Sequence, residues 1–284
     1  WFASNFIVIL ALIALIGFVF FLIWELGEKH PVVDLTLFTR RNFWVGTVSL
    51  SLGYGVFFGN VVLLPLWLQQ FMGYTATWAG FIMAPVGVLA IVATPFVGKR
   101  VNATDPRILS TVAFITFAVV LWMRSLFNTQ VDEFTLLIPA FAQGIPMAFL
   151  FVPLMSLILM GLPPERIPAA AGLSNFVRIT AGAFGTSIFT TLWESRATLH
   201  HAQLTETINN ASIPATQALS GFATLGLSRE QGLTYINHLI DQQAFMLSAN
   251  DIFYASAVLF LGLTAIIWLA RPTRISNPLP ISSH

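Results

Sequence analysis

Seven runs of about twenty or more mostly apolar residues dominate this chain, at 6–24, 44–68, 78–98, 108–127, 136–160, 169–193 and 250–270. At about 1.5 Å of rise per residue, each is long enough as a helix to cross the roughly 30 Å hydrocarbon core of a bilayer. In lipid an isolated span must satisfy its own backbone hydrogen bonds, so these runs are read as helices. A membrane β-barrel would need alternating polar and apolar positions, which the runs lack. The expected fold is therefore all-α, a polytopic membrane helix bundle with seven transmembrane helices. Composition agrees: charged residues make up 9% of the chain, against about 25% in a soluble domain. Several of the 8 Trp sit at the ends of runs, where interfacial aromatics belong.

The basic residues set the orientation. Lys29, Arg40, Arg41, Lys99, Arg100, Arg107, Arg166, Arg271 and Arg274 fall in one set of connections, and only Arg124, Arg196 and Arg229 in the other. The positive-inside rule places the richer set, with the C-terminus, in the cytoplasm. The chain then divides into six transmembrane helices over 1–193, an extracytoplasmic (periplasmic) loop over 194–249, and a last transmembrane helix with a cytoplasmic tail over 250–284. About 56 residues is too long for a simple turn, so 194–249 is expected to pack on the outer face or to meet a partner. Within it, 194–209 reads as helical, followed by a loop around N-N-A-S-I-P. Ser228 and Gln231 form a capping-box pattern opening a helix with Leu233, Ile236 and Ile240 on one face. The first residue is Trp1, with no basic leader before the first run, so the sequence reads as the C-terminal part of a longer chain.

Several functions are disfavoured. A net charge of +1 leaves no basic face for nucleic acid. Zero Cys rules out zinc–thiolate sites and thiol catalysis. His30 and Asp34 resemble an acyltransferase pair, but the spacing is one residue short and Pro31 follows the His. Asp34 is instead expected to cap a short interfacial helix carrying Leu35, Leu37 and Phe38. His200 and His201 are adjacent, so on a helix they point in different directions; a solvated face is expected there, with no metal and no cofactor. No run contains a His and no G-x-S-x-G occurs, so an intramembrane enzyme is not expected.

The membrane interior does hold polar candidates. Arg178 lies nine residues past Ala169, about 13 Å into its span, where insertion scales assign an arginine a cost of about 2.5–3.5 kcal/mol. Asn175, Arg178, Gly182, Gly185 and Phe189 recur every three or four residues and share one helix face. Gly182 and Gly185 would admit a close helix neighbour. Arg178 is then either a clamp on an adjacent helix or part of a substrate or proton route. Ser49, Gly53, Val56 and Asn60 share a face of the second run, for packing or for a cavity, with Tyr54 and Phe57 beside them. Pro85 in the third run, and Pro139, Pro146 and Pro153 around Gln143 in the fifth, are expected to bend their helices. Gln143 and Pro146 could line a cavity together. Arg124, closing the fourth run, is expected to snorkel outward.

The segments G-L-P-P-E-R-I-P-A-A-A-G-L-S-N-F-V-R and A-G-A-F-G-T-S, at 161–178 and 181–187, carry a family resemblance. So do W-E-L, P-V-V-D-L-T-L-F, R-N-F, V-L-L-P, G-Y-T-A-T-W-A-G, A-P-V-G, H-H-A-Q-L-T-E and S-A-N-D-I-F. In these the chain resembles the EmrB/QacA-type drug:proton antiporters of the major facilitator superfamily over nearly its whole length. The resemblance implies a fourteen-helix transporter of a bacterial inner (cytoplasmic) membrane, with these seven helices as its C-terminal half. It implies export of small hydrophobic drug-like compounds driven by protons, with a periplasmic adaptor and an outer-membrane channel as partners. The family's proton-coupling acids and its antiporter Gly/Pro motif belong to the other half. Beside multidrug efflux stand two alternatives, a non-transporting membrane scaffold and a transporter of another small molecule. Tyr54, Phe57, Asn60, Gln143, Asn175 and Arg178 are the expected pathway residues; Pro85, Pro146, Pro153, Gly182 and Gly185 are the expected bending or close-packing positions.

Overall fold

Long helices account for nearly all of the computed structural model, which describes residues 5–27, 34–101, 103–206, 213–224, 226 and 228–271, with no strand among them. In order they are α1 (Asn5–Gly27), α2 (Arg41–Phe71), α3 (Ala76–Val101), α4 (Pro106–Arg124), α5 (Glu133–Leu159), α6 (Ile167–Glu206), α7 (Ile213–Thr224) and α8 (Arg229–Ile267). Six of them, α1 to α5 and α8, are long and apolar enough to cross a membrane. The remaining expected span lies inside α6, whose Gly, Ala, Ser and Thr residues and Arg178 dilute its hydropathy. His30, Lys29, Arg274 and residues 209–212 of the N-N-A-S-I-P loop lie outside the described residues.

Local chemistry starts the helices where the sequence indicates. Asp105 accepts from the backbone N–H of Arg107, with Pro106 opening α4. Asp132 caps α5 through Thr135, and that hydrogen bond holds its carboxyl below the ordinary carboxylate range. Ser228 and Gln231 complete both halves of a capping box on α8. Asp34 caps a 3-10 turn, Leu35–Thr39, in which Leu37 is buried.

Two helices run far past the expected span boundaries. The span and the helical stretch near 194–209 are one uninterrupted helix, α6, and the capped helix at 229 continues into the last span as α8. Helices of 40 and 39 residues are about 60 Å long, roughly twice the hydrocarbon thickness, so part of each stands outside it. The polar composition of 194–206 and 229–249 does not report where the helices end.

Helices α2 and α5 meet at the centre of the bundle. Each packs most extensively on a helix of the other's set, α2 on α6 and α5 on α3, while α4 packs on both α5 and α8. The sets α2–α3–α4 and α5–α6–α8 therefore interlock rather than lie side by side. In the interior Phe117 stacks on Phe260, ring centroids 4.7 Å apart, and meets Phe57 edge to face. α1 has no extensive contact with the bundle, and apart from the buried Glu25 near its end its described residues are largely uncovered.

At the basic end of the bundle, side chains tie helix ends together. Asn42 accepts from the backbone N–H of Arg271 at 2.7 Å. Arg107 donates to the Ala270 carbonyl at 3.2 Å and lies over the Trp268 ring. Arg40 donates to the Gly161 carbonyl at 2.8 Å, beyond the end of α5. Cations just beyond the C-terminal ends of α5 and α8 lie near the negative ends of those helix dipoles.

Candidate functional site

Arg178 sits on α6 where α2, α5 and α6 approach one another, and its guanidinium is held by aromatic faces. Its Cζ is 4.5 Å from the Tyr54 ring centroid on α2 and 4.8 Å from that of Phe151 on α5. Nη2 donates to Asn175 Oδ1 at 2.5 Å, one turn earlier on α6. Nε is shielded from solvent and has no partner among the described residues. A cation–π contact contributes about 0.5–2 kcal/mol, so two of them offset much of the roughly 2.5–3.5 kcal/mol that insertion scales assign to a central arginine. No acidic side chain forms an ion pair with Arg178 among the described residues.

The glycines of the Arg178 stripe set that geometry. A Cβ on Gly185 would run into the backbone of Gly55, and one on Gly55 would come 2.8 Å from the Ala181 carbonyl oxygen. A Cβ on Gly182 would lie 3.2 Å from the Tyr54 ring. α2 and α6 therefore touch backbone to backbone, which carries Tyr54 across to Arg178. Phe189, the last residue of the stripe, lies against Gly59 of α2.

The other expected pathway residues do not join this group. Asn60 is buried and donates to the Val56 carbonyl at 2.7 Å and to Ser256 Oγ on α8 at 3.2 Å. Phe57 is buried against Phe58 and Phe117. Gln143, buried on α5, accepts from Nη2 of Arg124 at 2.5 Å. The structure thus gathers Tyr54, Asn175 and Arg178, adds Phe151, and leaves Asn60, Phe57 and Gln143 at three other contacts.

Arg124 itself corrects a sequence expectation. It is 0% exposed rather than snorkelled to the surface, and its Nε and Nη1 have no partner among the described residues. Its position at the end of an apolar run suggested a route to water. The acceptor that draws it inward, Gln143, comes from the neighbouring helix. Gln143 is therefore occupied by Arg124 instead of lining a cavity with Pro146, which is also buried. Pro85, Pro146 and Pro153 lie inside helices that continue through them.

His200 and His201 correct another. They do not form a merely solvated face: His200 Nε2 is 2.8 Å from Asp251 on α8, which also accepts from Arg196 at 2.5 Å, and His201 Nε2 is 3.4 Å from Asp241. Below them Trp193 Nε1 donates to the Phe245 carbonyl at 3.0 Å and Ser248 Oγ to the Trp193 carbonyl at 2.6 Å. The extensions of α6 and α8 are thereby zipped together. His, Asp and Glu gather nowhere among the described residues into a group that could hold a metal. On the same rim, burial raises the Tyr74 hydroxyl above the ordinary phenol range, helped by the negative charges of Glu133 and Asp132.

Comparison with known proteins supplies the family. The model of the Major Facilitator Superfamily matches residues 2–186. The chain is 43% identical to the multidrug export protein EmrB of Escherichia coli K12 over 273 residues, 96% of this chain and 53% of that protein. It is 42% identical to the fatty acid resistance protein FarB of Neisseria gonorrhoeae over 272 residues, 96% and 54% of the two. It is 38% identical to the probable multidrug resistance protein EmrY of Escherichia coli K12 over 274 residues, 96% and 53%. The chain spans about half the length of these curated relatives. With its apolar helices and this match, the chain is a multi-pass membrane protein that belongs to the major facilitator superfamily.

Proposed function

We propose that this chain is the C-terminal half of a multidrug efflux transporter, exporting hydrophobic toxic compounds by proton antiport with alternating access. The observation that carries the reading is the 43% identity with a multidrug export protein across 96% of the chain. The geometry supports it, because Tyr54, Phe151 and Arg178 put aromatic surface and a polar anchor on three helices at once. In this reading Tyr54, Asn175 and Arg178 line the pathway, and Phe57, Asn60 and Gln143 shape the wall behind it. Pro85, Pro146 and Pro153 are the places where the wall bends between states, since each removes a helix amide donor. The protein resides in a bacterial inner membrane with its C-terminus in the cytoplasm, as the basic end of the bundle suggests. The region 194–249 stands on the periplasmic side, where a partner adaptor, leading to an outer-membrane channel, would meet the paired extensions of α6 and α8.

Dye efflux from energised cells expressing the full-length protein tests this. Efflux of a hydrophobic dye should exceed that of a vector control several-fold and fall to the control level when the proton gradient is collapsed. Efflux that survives the collapse rejects proton antiport, and efflux equal to the control rejects export.

A further inference from the structure

The basic end of the bundle carries a group of cations that the efflux reading does not use. We propose that the seam between α4 and α8 at that end is a binding site for an anionic phospholipid, whose phosphate meets Arg107 and Arg271 and whose acyl chain lies along the two helices. The site goes beyond efflux and depends only on the bundle lying in a membrane.

Arg107 opens α4 and reaches the chain just past the end of α8. Its Nε and Nη2 donate to Asp105, at 3.1 and 2.6 Å from Oδ2, and its Nη1 donates to the Ala270 carbonyl at 3.2 Å. A guanidinium carries more N–H bonds than these contacts use, so Nη1 and Nη2 each keep a donor free. Arg271 follows directly. It is exposed, its backbone N–H is taken by Asn42, and its guanidinium has no partner among the described residues. Lys99 and Arg100, exposed in the last turn of α3, stand just before this group in the chain and pair with no acid among the described residues. Asp105 therefore balances Arg107 and leaves the other cations uncompensated. Phosphate oxygens are the acceptors that guanidinium donors bind most strongly.

The surface beside these charges suits an acyl chain. Trp268 is 51% exposed, with the Arg107 Cζ 5.0 Å from its ring centroid and its Nε1 tied to Thr111 Oγ1 at 3.1 Å, so the open part of the ring is apolar. Ile115 lies one turn deeper than Thr111 on α4, Leu261 two turns deeper than Trp268 on α8, and both are exposed. Cations at the level of an interfacial tryptophan, with an aliphatic strip beneath, match the headgroup and the chain of one lipid. A free phosphate meets only the charges. A zwitterionic lipid brings its own cation against the arginines, which opposes binding.

The test is native mass spectrometry of the full-length protein titrated with palmitoyl-oleoyl phosphatidylglycerol or phosphatidylcholine, which share their chains and differ in headgroup charge. Wild type should bind the first phosphatidylglycerol about tenfold tighter than the first phosphatidylcholine. Arg107 also holds the end of α8, so the variant is Arg271→Gln, whose side chain bears no such contact; it should bring the ratio to within about threefold of unity. Arg166→Gln, which removes an exposed cation from the α5–α6 connection, should keep the wild-type ratio. Equal binding of the two lipids by wild type overturns the proposal, and so does a ratio unchanged in Arg271→Gln. A ratio lost equally in Arg166→Gln overturns the assignment to the α4–α8 seam. Soluble glycerophosphate in large excess should leave the bound lipid in place; displacement by it would show that free phosphate is recognised and overturn the lipid assignment. Dye efflux is measured separately, so failure of lipid selectivity leaves the efflux reading intact.

Discussion

Gly185→Leu is expected to leave little folded protein, with a collapsed monodisperse peak in detergent and loss of the melting transition. Gly185 lies where α6 meets the backbone of Gly55, and even a Cβ there would sit 2.7 Å from the Gly55 Cα. The obstacle is main chain on both sides, so no rotamer change can relieve it. Overpacking a core typically costs about 1–3 kcal/mol where side chains can move, and Gly185→Ala should fall at the upper end of that range. Separation of α2 from α6 would also carry Tyr54 away from Arg178. Gly172→Ala on the same helix is the control, because nothing lies within 4 Å of a Cβ at that position. It should change stability by less than about 1 kcal/mol, in line with the propensity difference between Gly and Ala. Equal melting temperatures for Gly185→Ala and Gly172→Ala would refute the backbone-contact account.

Gln143→Leu is the second large effect. Arg124 is 0% exposed and donates to Gln143, while two of its nitrogens have no partner among the described residues. Removing the acceptor strands a charge that an arginine cannot lose by deprotonation. A hydrogen bond from a charged donor contributes about 1.5–3 kcal/mol, whereas replacing both partners by apolar groups of the same shape is nearly neutral or stabilising. Gln143→Leu should therefore lower denaturant stability by about 2–3 kcal/mol, and the double variant Arg124→Met, Gln143→Leu should recover most of the loss. A double variant as unstable as the single one would show that Gln143 matters for its volume and not for the guanidinium.

Much of this architecture is legible in the sequence, and the parts that are not share a cause. Spans, the cap at Asp34 and the capping box at Ser228 and Gln231 depend on residues a few positions apart, so periodicity and spacing reveal them. The Asn175–Arg178–Gly182–Gly185 stripe is legible for the same reason, as a face of one helix. Which helix lies opposite that face is a tertiary fact, so Tyr54 beside Gly182 and Phe151 over Arg178 were hidden. Arg124 pairs with Gln143 across two helices, and His200 with Asp251 across 51 residues. Hydropathy places polar residues where water is, and so it marked Trp193 as an end where α6 in fact continues to Glu206.

That continuity makes α6 a lever. Nothing in its backbone marks a joint at the membrane surface, and the pairing of Arg196 and His200 with Asp251 joins it to an equally unbroken α8. Over a helix about 60 Å long, a tilt of roughly ten degrees about the midpoint displaces the tip by about 5 Å. A small change of inclination among the buried helices is thus enlarged, without any hinge, into a displacement of several ångströms at Glu206.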